Sequence, residues 1–333
     1  MKAVVARDYG SPEVLAVAEV PVPLPGPGQI QVRTAAAALN PADLRSLSGV
    51  LAGLAPLRFP HIPGSDFAGR VTAIGAGVDR FAVGDEVFGT ALPRETVQMA
   101  SMFAAPPSLT TGTVAEYAVL EADTPALALR PAALAADRAA ALPIAGLTAL
   151  AVLRAGRFQP GESVLVVGAT GGVGSAVVPL LAAAKVHVVA TAGAADEAYV
   201  RGLGSAEVID RHAADLVAEA VRRRPDGFDA LVNTALPGSR LVDAGRLLRP
   251  GGRLLNVAFP SPDPGDFDGC DFTFETVYGG ARLGDLDELA ARAADGTLPV
   301  SIGRRYRLEE APRAYRDLVR EHTRGKLVVV MGA

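Results

Sequence analysis

The chain of 333 residues is long enough for two domains, and half of it is hydrophobic. A net charge of −4 without a basic patch argues against nucleic acid as a partner, and no apolar run reaches membrane-spanning length. The first ten residues lack the long apolar core of a secretory signal, so we expect a cytoplasmic protein.

The first 124 residues favour a β-rich, barrel-like domain. Clusters of Pro and Gly separate short β-type runs at residues 2–6, 29–34, 69–74, 85–88 and 114–120. One helix is predicted from Pro41 to Leu47, with Asn40 as its N-cap.

From about residue 125 the pattern changes to alternating helices and strands. A helical segment begins at Asp137 and is followed by strands at residues 163–167, 186–191, 207–210, 229–234 and 253–258. Helices are predicted between these strands, and this alternation indicates a doubly wound parallel sheet. Residues 260–269 are predicted as a linker. The tail holds two helices and a strand, at residues 285–294, 308–320 and 326–331.

A glycine turn joins the first of these strands to its helix. Its residues are Gly168, Ala169, Thr170, Gly171, Gly172, Val173 and Gly174. They match the dinucleotide-binding fingerprint with the first glycine replaced by Ala169. Gly171 lets the backbone approach a pyrophosphate, Gly174 lets the helix pack closely, and the helix N-terminus attracts the phosphates. We therefore predict a nucleotide site at this turn.

Six motifs follow one another along nearly the whole chain, namely NPAD (40–43), PGSDFAG (63–69), VGDEVFG (83–89), AEYA (115–118), GLTA (146–149) and GKLVV (325–329). In their order and spacing they resemble the medium-chain dehydrogenase/reductase superfamily, and within it the zinc-free quinone oxidoreductase branch that includes zeta-crystallin. The resemblance implies an α/β protein with a GroES-like β-rich catalytic domain (1–124 and 264–333) and a Rossmann nucleotide-binding domain (125–263). It also implies an active site between the domains and a homodimer formed through the sheet edge near residues 271–277.

The same resemblance bears on metal chemistry. Zinc-dependent members carry a cysteine where this chain has Asn40, and Gly-His-Glu where it has Gly64, Ser65 and Asp66. They also carry a lobe of four cysteines where this chain has residues 91–112, which contain none. A zinc site needs three or four converging ligands, and four scattered histidines with the single Cys270 do not supply them. We therefore predict no metal.

Without zinc, the simplest mechanism is direct hydride transfer from nicotinamide to a quinone or to the β-carbon of an activated alkene (an enone). Asn40 and Asp43 are the candidate catalytic residues, positioning substrate or nicotinamide ribose. A purely structural N-cap role for Asn40 is the alternative. Both roles are compatible, because a cap uses one acceptor and leaves the amide donors free.

The cofactor prediction rests on the end of the second strand of the βαβ unit. Thr191, Ala192 and Gly193 stand there without the acid that binds the ribose hydroxyls in NAD enzymes, so NADPH is favoured and NADH is the alternative. Many relatives have a lysine where this chain has Asp196; Arg201 either compensates or is a solvated helix charge. The remaining predicted cofactor-binding residues are Thr148, Thr234, Ala235, Val257, Ala258, Phe259 and Lys326.

Four residues are candidates for the substrate site. Met99, Met102 and Phe103 make residues 91–112 apolar and adaptable. One hypothesis is that this stretch covers a larger polycyclic or acyl substrate, and the alternative is a surface excursion or subunit contact. Tyr278 is the fourth candidate.

The leading prediction is an NADPH-dependent reductase whose partner is a small-molecule quinone or enone. One alternative is a dedicated enoyl or polyketide-tailoring reductase that acts on one biosynthetic intermediate. A second is a non-catalytic NADPH-binding protein.

Overall fold

The computed structural model describes residues 1–53, 56–91, 112–212 and 216–332. The chain forms two compact units. The first consists of Met1–Leu147, Gly280–Ala294 and Val300–Ala333, and the second of Thr148–Gly279 and Asp295–Pro299. These units differ from the predicted domain limits in residues 125–147, which belong to the first unit, and in residues 264–279 and 295–299, which belong to the second. In the part of the chain described, no helix is both long and apolar enough to cross a membrane.

The strands of the described ranges are β1 (Lys2–Val5), β2 (Ala16–Glu19), β3 (Gln29–Ala38), β4 (Asp66–Ile74), β5 (Glu86–Thr90), β6 (Tyr117–Glu121), β7 (Leu127–Leu129), β8 (Ser163–Val167), β9 (His187–Ala192), β10 (Glu207–Asp210), β11 (Phe228–Asn233), β12 (Leu248–Asn256), β13 (Phe272–Thr276), β14 (Ile302–Arg307) and β15 (Lys326–Val330).

The α-helices of the same ranges are α1 (Pro41–Leu47), α2 (Ala136–Ala140), α3 (Pro143–Gly156), α4 (Gly174–Ala183), α5 (Glu197–Gly202), α6 (Leu216–Arg223), α7 (Gly238–Ala244), α8 (Asp285–Ala294) and α9 (Ala311–Arg320).

The larger sheet of the first unit is organised around β3. Its order is β14-β15-β3-β4-β5-β7, and β6 also pairs with β3. Side chains of Val32, Phe67 and Val87 are buried in one cluster between these strands, because alternate residues of a strand point to the same face. This β-rich unit confirms the fold predicted for the N-terminal region.

A second cluster joins the two ends of the chain within the first unit. Leu39, just before α1, and Leu47, at the end of α1, pack with Tyr315 of α9 and Leu327 of β15. The tail is therefore part of the same core as the N-terminal strands. This packing places Lys326, the first residue of β15, beside the start of α1.

The second unit contains the predicted doubly wound sheet. Its strand order is β10-β9-β8-β11-β12-β13, and every neighbouring pair is parallel. Val167, Asn233, Asn256 and Thr276 are partners across four adjacent strands. The carboxyl ends of these strands therefore lie on one edge, where open α/β sheets bind their ligands.

Several element limits differ from the sequence-based predictions. The helical segment after Asp137 is two helices, α2 and α3, because Pro143 has no backbone N–H to continue a helix. The helix predicted between the strands at 229–234 and 253–258 is α7, which ends at Ala244, and a 3₁₀ turn leads directly into β12. Strands β2, β7 and β14 were not predicted. In β14, the three arginines at 304, 305 and 307 obscure the apolar pattern of a strand whose one buried side chain is Tyr306.

Replacing Phe67 by Ala tests the core of the larger sheet. Phe67 is fully buried in β4, so we expect Phe67→Ala to lower the free energy of unfolding by about 3 to 5 kcal/mol. Urea unfolding followed by far-UV circular dichroism measures the change. The matched control is Leu24→Ala at an exposed position, which should change stability by less than about 0.5 kcal/mol.

Candidate functional site

The glycine turn of the second unit has the geometry that its sequence predicts. Gly168 directly follows β8 with a φ of +85°, a conformation that residues with a Cβ rarely adopt. A Cβ on Gly168 would also collide with Thr234 Oγ1 and lie 2.8 Å from the Cβ of Ala235. Glycine is therefore required here for both conformation and space.

Gly171 and Gly174 differ in their surroundings. A Cβ on Gly174 would lie 2.6 Å from the Ala169 Cα and still closer to the Gly168 carbonyl oxygen, so only glycine lets α4 pack against the turn. A Cβ on Gly171 would meet only the Gly168 oxygen, at 3.6 Å. Gly171 therefore borders open space that a ligand can approach. A turn of this shape at the N-terminus of a ten-residue helix fits a nucleotide pyrophosphate.

Other predicted cofactor-binding residues meet at the same carboxyl edge. Thr191 of β9 accepts a hydrogen bond at Oγ1 from the Gly168 N–H at 3.3 Å. Thr234 follows β11 and donates from Oγ1 to the Val167 oxygen at 2.8 Å. The turn is therefore supported by hydroxyls from both neighbouring strands, and Val257, Ala258 and Phe259 follow the next strand, β12.

Two buried asparagines at this edge were not singled out from the sequence. Asn233 Nδ2 donates to Asn256 Oδ1 at 2.8 Å, and Asn233 Oδ1 accepts from the backbone N–H groups of Ala235 and Leu236. Asn256 Nδ2 donates to the Ala258 oxygen and to Ser261 Oγ. Both side chains hold the loops after β11 and β12. In the sequence, each is recognisable only as a polar residue at the end of an apolar strand.

The end of β9 has two basic side chains beside it that were not identified from the sequence. A Cβ on Gly193 would lie 3.7 Å from Arg211 Nε and 3.7 Å from His212 Nε2. Arg201, which was considered as the compensating charge, instead donates to Glu197 at 2.8 Å and to the Ala206 oxygen at 2.9 Å. Arg211 and His212 follow β10, and pairing of β10 with β9 brings them beside Gly193.

The predicted substrate residue Tyr278 also lies in the second unit, just after β13. Its ring contacts that of Phe259, with centroids 6.1 Å apart. Thr148 is close to the next residue, since a Cβ on Gly279 would lie 3.0 Å from the Thr148 Cα. Met99, Met102 and Phe103 lie outside the described residues.

In the first unit, Asn40 is a central member of a buried polar cluster. Asn40 Nδ2 donates to Asp66 Oδ2 at 3.0 Å and to the Ala38 oxygen at 3.2 Å, and Asn40 Oδ1 accepts from Lys326 Nζ. This amide orientation is unambiguous, because an ammonium only donates and a carboxylate only accepts. The expectation that the Asn40 amide donors are free was therefore wrong: both have partners.

Asp43, the other candidate catalytic residue, accepts three hydrogen bonds. They come from the Asn40 backbone N–H at 3.0 Å, Ser65 Oγ at 2.8 Å and Tyr315 Oη at 3.3 Å. Burial raises the pKa of Asp43 to about 6, while the hydrogen bonds from Asn40 and Ser65 oppose that shift. The carboxyl is therefore ionised at pH 7 and holds the first turn of α1.

Asp66 connects this cluster to a third segment of the first unit. Its Oδ2 accepts from Asn40 and, at 3.2 Å, from Lys326 Nζ, and its Oδ1 accepts from the Ile144 N–H at the start of α3. Burial raises the pKa of Asp66, and the nearby Lys326 ammonium opposes the shift. Lys326 was predicted to bind the cofactor; its side chain lies in this cluster, and its role stays a prediction.

The Lys326 ammonium contacts Asn40 and Asp66. These are the positions at which the zinc-dependent members described above carry a cysteine and the glutamate of the Gly-His-Glu motif. The Lys326 ammonium therefore already supplies the positive charge that balances the buried Asp66 carboxylate. Within the described ranges, no group of three or more His, Cys, Asp or Glu side chains is arranged to hold a metal ion.

Comparison with known families gives two matches along the chain. Residues 26–130 match the alcohol dehydrogenase GroES-like domain, and residues 203–329 match the zinc-binding dehydrogenase family. The chain is 31% identical to the chloroplastic quinone oxidoreductase QR1 of Triphysaria versicolor, over 99% of this chain and 98% of the relative.

Two other relatives match over less of their own length. The chain is 38% identical to a chloroplastic quinone-oxidoreductase homolog of Spinacia oleracea, but it spans only 50% of that protein. It is 32% identical to the chloroplastic NADPH-dependent alkenal/one oxidoreductase of Arabidopsis thaliana, over 80% of this chain and 64% of that protein.

Solved structures agree over the full chain. The quinone oxidoreductase of Coxiella burnetii matches with a TM-score of 0.86 and 26% identity, over 99% of both chains. A protein described as an NAD-dependent alcohol dehydrogenase matches with a TM-score of 0.85 and 31% identity, over 100% of both chains. These matches confirm the predicted GroES-like and Rossmann architecture.

The buried Asp43 carboxyl gives a pH-dependent stability. The unfolded chain releases this proton near pH 3.8 and the folded chain near 6, so the folded state loses stability as the pH rises between these values. Relative to Asp43→Asn, the wild-type free energy of unfolding should fall by about 3 kcal/mol across this window and then level off. Urea unfolding from pH 4 to 7 measures this difference.

The control for that experiment is Asp123→Asn, the same change at an exposed position. A constant difference between wild type and Asp43→Asn at every pH would contradict the raised pKa.

Because Lys326 and Asp66 form an ion pair, we expect their substitutions to have non-additive effects on the free energy of unfolding. Lys326→Met leaves a buried carboxylate uncompensated, so we expect a loss of about 3 to 5 kcal/mol in the free energy of unfolding. Adding Asp66→Asn removes that charge and should restore part of the loss. Urea unfolding of both single variants and the double variant measures the coupling. Lys185→Met, the same change at an exposed lysine, is the control; additive effects would contradict the pairing.

Proposed function

Because the chain belongs to the quinone oxidoreductases of the medium-chain dehydrogenase/reductase superfamily, we propose that it is a zinc-independent, NADPH-dependent reductase. Its substrates are quinones or activated alkenes, which accept hydride at the β-carbon. Relatives named quinone oxidoreductase and alkenal/one oxidoreductase support this acceptor class.

The observation that carries zinc independence is the Lys326 ammonium, which contacts Asn40 Oδ1 and Asp66 Oδ2. It supplies the positive charge that the buried Asp66 requires. The ammonium would repel a divalent cation in the same place. The Asn40 amide would also be a poorer zinc ligand than the cysteine thiolate that zinc-dependent members have at this position. The residues present therefore do not suit zinc.

The residues of the second unit suit a dinucleotide. Gly171 leaves the backbone open to a pyrophosphate, and α4 directs its N-terminal amides to the same place. When bound, the nicotinamide cofactor supplies the hydride. The contribution of the chain is to hold the cofactor and the acceptor in position and to exclude water.

NADPH rather than NADH is supported by the end of β9. Residues 191–193 include no acid, and Arg211 and His212 lie beside Gly193, where a 2′-phosphate is recognised in enzymes of this fold. A guanidinium is well suited to a phosphate because it offers several N–H donors and a permanent charge.

For Asn40 and Asp43 we propose a positioning role. Asn40 uses both amide donors and its oxygen within the cluster, and Asp43 fixes the Asn40 backbone. Together they hold Lys326 in one place. Direct contact of Asn40 with a substrate would require it to exchange one of these bonds.

A cytoplasmic homodimer completes the proposal. Strand β13 is the last strand of the six-stranded sheet in the described residues, and its outer edge is suited to pairing with a second copy. Light scattering after gel filtration tests this; a monomer at micromolar concentration would contradict it.

The function is tested by following oxidation of NADPH and NADH by the purified protein with a panel of quinones and enones. Turnover with several acceptors and NADPH supports the proposed reductase. Turnover with a single biosynthetic enoyl or polyketide intermediate would instead favour a dedicated reductase. Tight NADPH binding without turnover on any acceptor would favour a non-catalytic role.

Cofactor selectivity is tested by Arg211→Ala. Losing a charge-assisted contact to the 2′-phosphate should raise KM for NADPH by about tenfold to a hundredfold, with little change for NADH. Arg201→Ala is the matched control, because Arg201 is paired with Glu197. Equal effects of Arg211→Ala on both cofactors would contradict the assignment.

A further inference from the structure

We propose that Phe259 and Tyr278 form an aromatic platform that stacks on the flat ring of the acceptor and favours ring quinones over open-chain enones. This inference rests on the proposed function and names the substrate class for it.

The first observation is exposure. In the described part of the chain, Phe259 and Tyr278 are the only aromatic residues among the exposed large hydrophobic side chains, with 42% and 50% of their surface accessible. They are also in contact, with ring centroids 6.1 Å apart and planes at 50°. Large exposed apolar side chains that cluster typically mark a binding surface.

The second observation is the place of the pair in the sheet. Phe259 follows β12 and Tyr278 follows β13, so both lie at the carboxyl edge of the second unit. The strand order reverses between β8 and β11, where a dinucleotide crosses the sheet. A dinucleotide bound there would place its adenosine ribose toward β9 and its nicotinamide half over β11 to β13. The platform is thus on the reacting side of the cofactor.

The third observation is the support beneath the rings. Asn256 Nδ2 donates to the Ala258 oxygen at 2.9 Å and to Ser261 Oγ at 3.1 Å, which holds the loop on both sides of Phe259. Ser261 Oγ also bonds Thr276 Oγ1 at 2.8 Å, which links that loop to the strand before Tyr278. A loop held in place before binding loses little conformational entropy when a ligand stacks on the rings that it carries.

The chemistry of such a platform selects flat conjugated rings. Aromatic pairs gain from offset or edge contacts and from the large area that each ring covers. A quinone presents a planar, electron-poor ring to these faces. An open-chain enone with a few carbons has too little flat area to contact both rings.

The test compares two acceptors of similar chemistry and different shape, 9,10-phenanthrenequinone and 3-penten-2-one. Because Phe259 is also a predicted cofactor-binding residue, the readout is the ratio of the two KM values. We expect Phe259→Leu with Tyr278→Leu to raise the KM for the quinone relative to the KM for the enone by about tenfold. Tyr278→Phe, which keeps the ring, should behave as wild type. Leu283→Ala, at an exposed position of the first unit, controls for a general loss of surface apolarity.

A binding titration provides a readout without turnover. Calorimetry with 9,10-phenanthrenequinone and oxidised NADP⁺, which has no hydride to give, should show the same tenfold loss in the double variant. Equal KM changes for both acceptors, or unchanged quinone affinity, would overturn the platform. A changed subunit number in Tyr278→Leu would overturn it in favour of a subunit contact.

Failure of the proposed function has a different signature. If the wild type reduces neither acceptor with either cofactor, the reductase assignment fails. The titration still decides the platform in that case, because quinone binding that the double variant loses supports it and absence of binding overturns it.

Discussion

The pairing of the Lys326 ammonium with Asp66 and Asn40 is the constraint on which the first unit depends. It joins the beginnings of β15, β4 and α1, three segments far apart in the chain. A buried carboxylate is costly unless a positive charge and hydrogen bonds compensate it, so these segments must meet for the cluster to exist. The same contact balances the buried charge of Asp66 with a side chain of the protein itself.

In the second unit, hydrogen bonds at the carboxyl edge of the sheet have the corresponding role. Parallel strands place the residues that follow β8, β11, β12 and β13 on one edge, and Asn233 and Asn256 hold the loops that begin there. Each asparagine offers a donor and an acceptor, so it satisfies backbone groups that a strand end leaves without partners. The residues proposed to select the cofactor, beside the end of β9, and the proposed aromatic platform after β12 and β13 all lie at this edge.

How much of the structure the sequence predicts depends on how far apart in the chain the interacting residues are. Gly168 and Gly174 were identified because their spacing alone implies a tight turn and a close helix. The break at Pro143 was missed because a continuous apolar pattern concealed it. Arg211 could not be assigned, since only the pairing of β10 with β9 brings it beside Gly193. The Asn40 donors were wrongly taken as free because their partners, Ala38 and Asp66, become neighbours through the pairing of β3 with β4.

The amino-acid sequence by itself determined the βαβ unit with its glycine turn, the two-part architecture and the replacement of the zinc ligands, because these depend on local spacing and residue chemistry. Only the tertiary structure decided that Lys326 supplies the buried cation, that Arg211 replaces Arg201 at the end of β9, and that Phe259 meets Tyr278. Each of these facts is a contact between segments distant in the chain. Such contacts follow from strand order and packing, which no local pattern encodes.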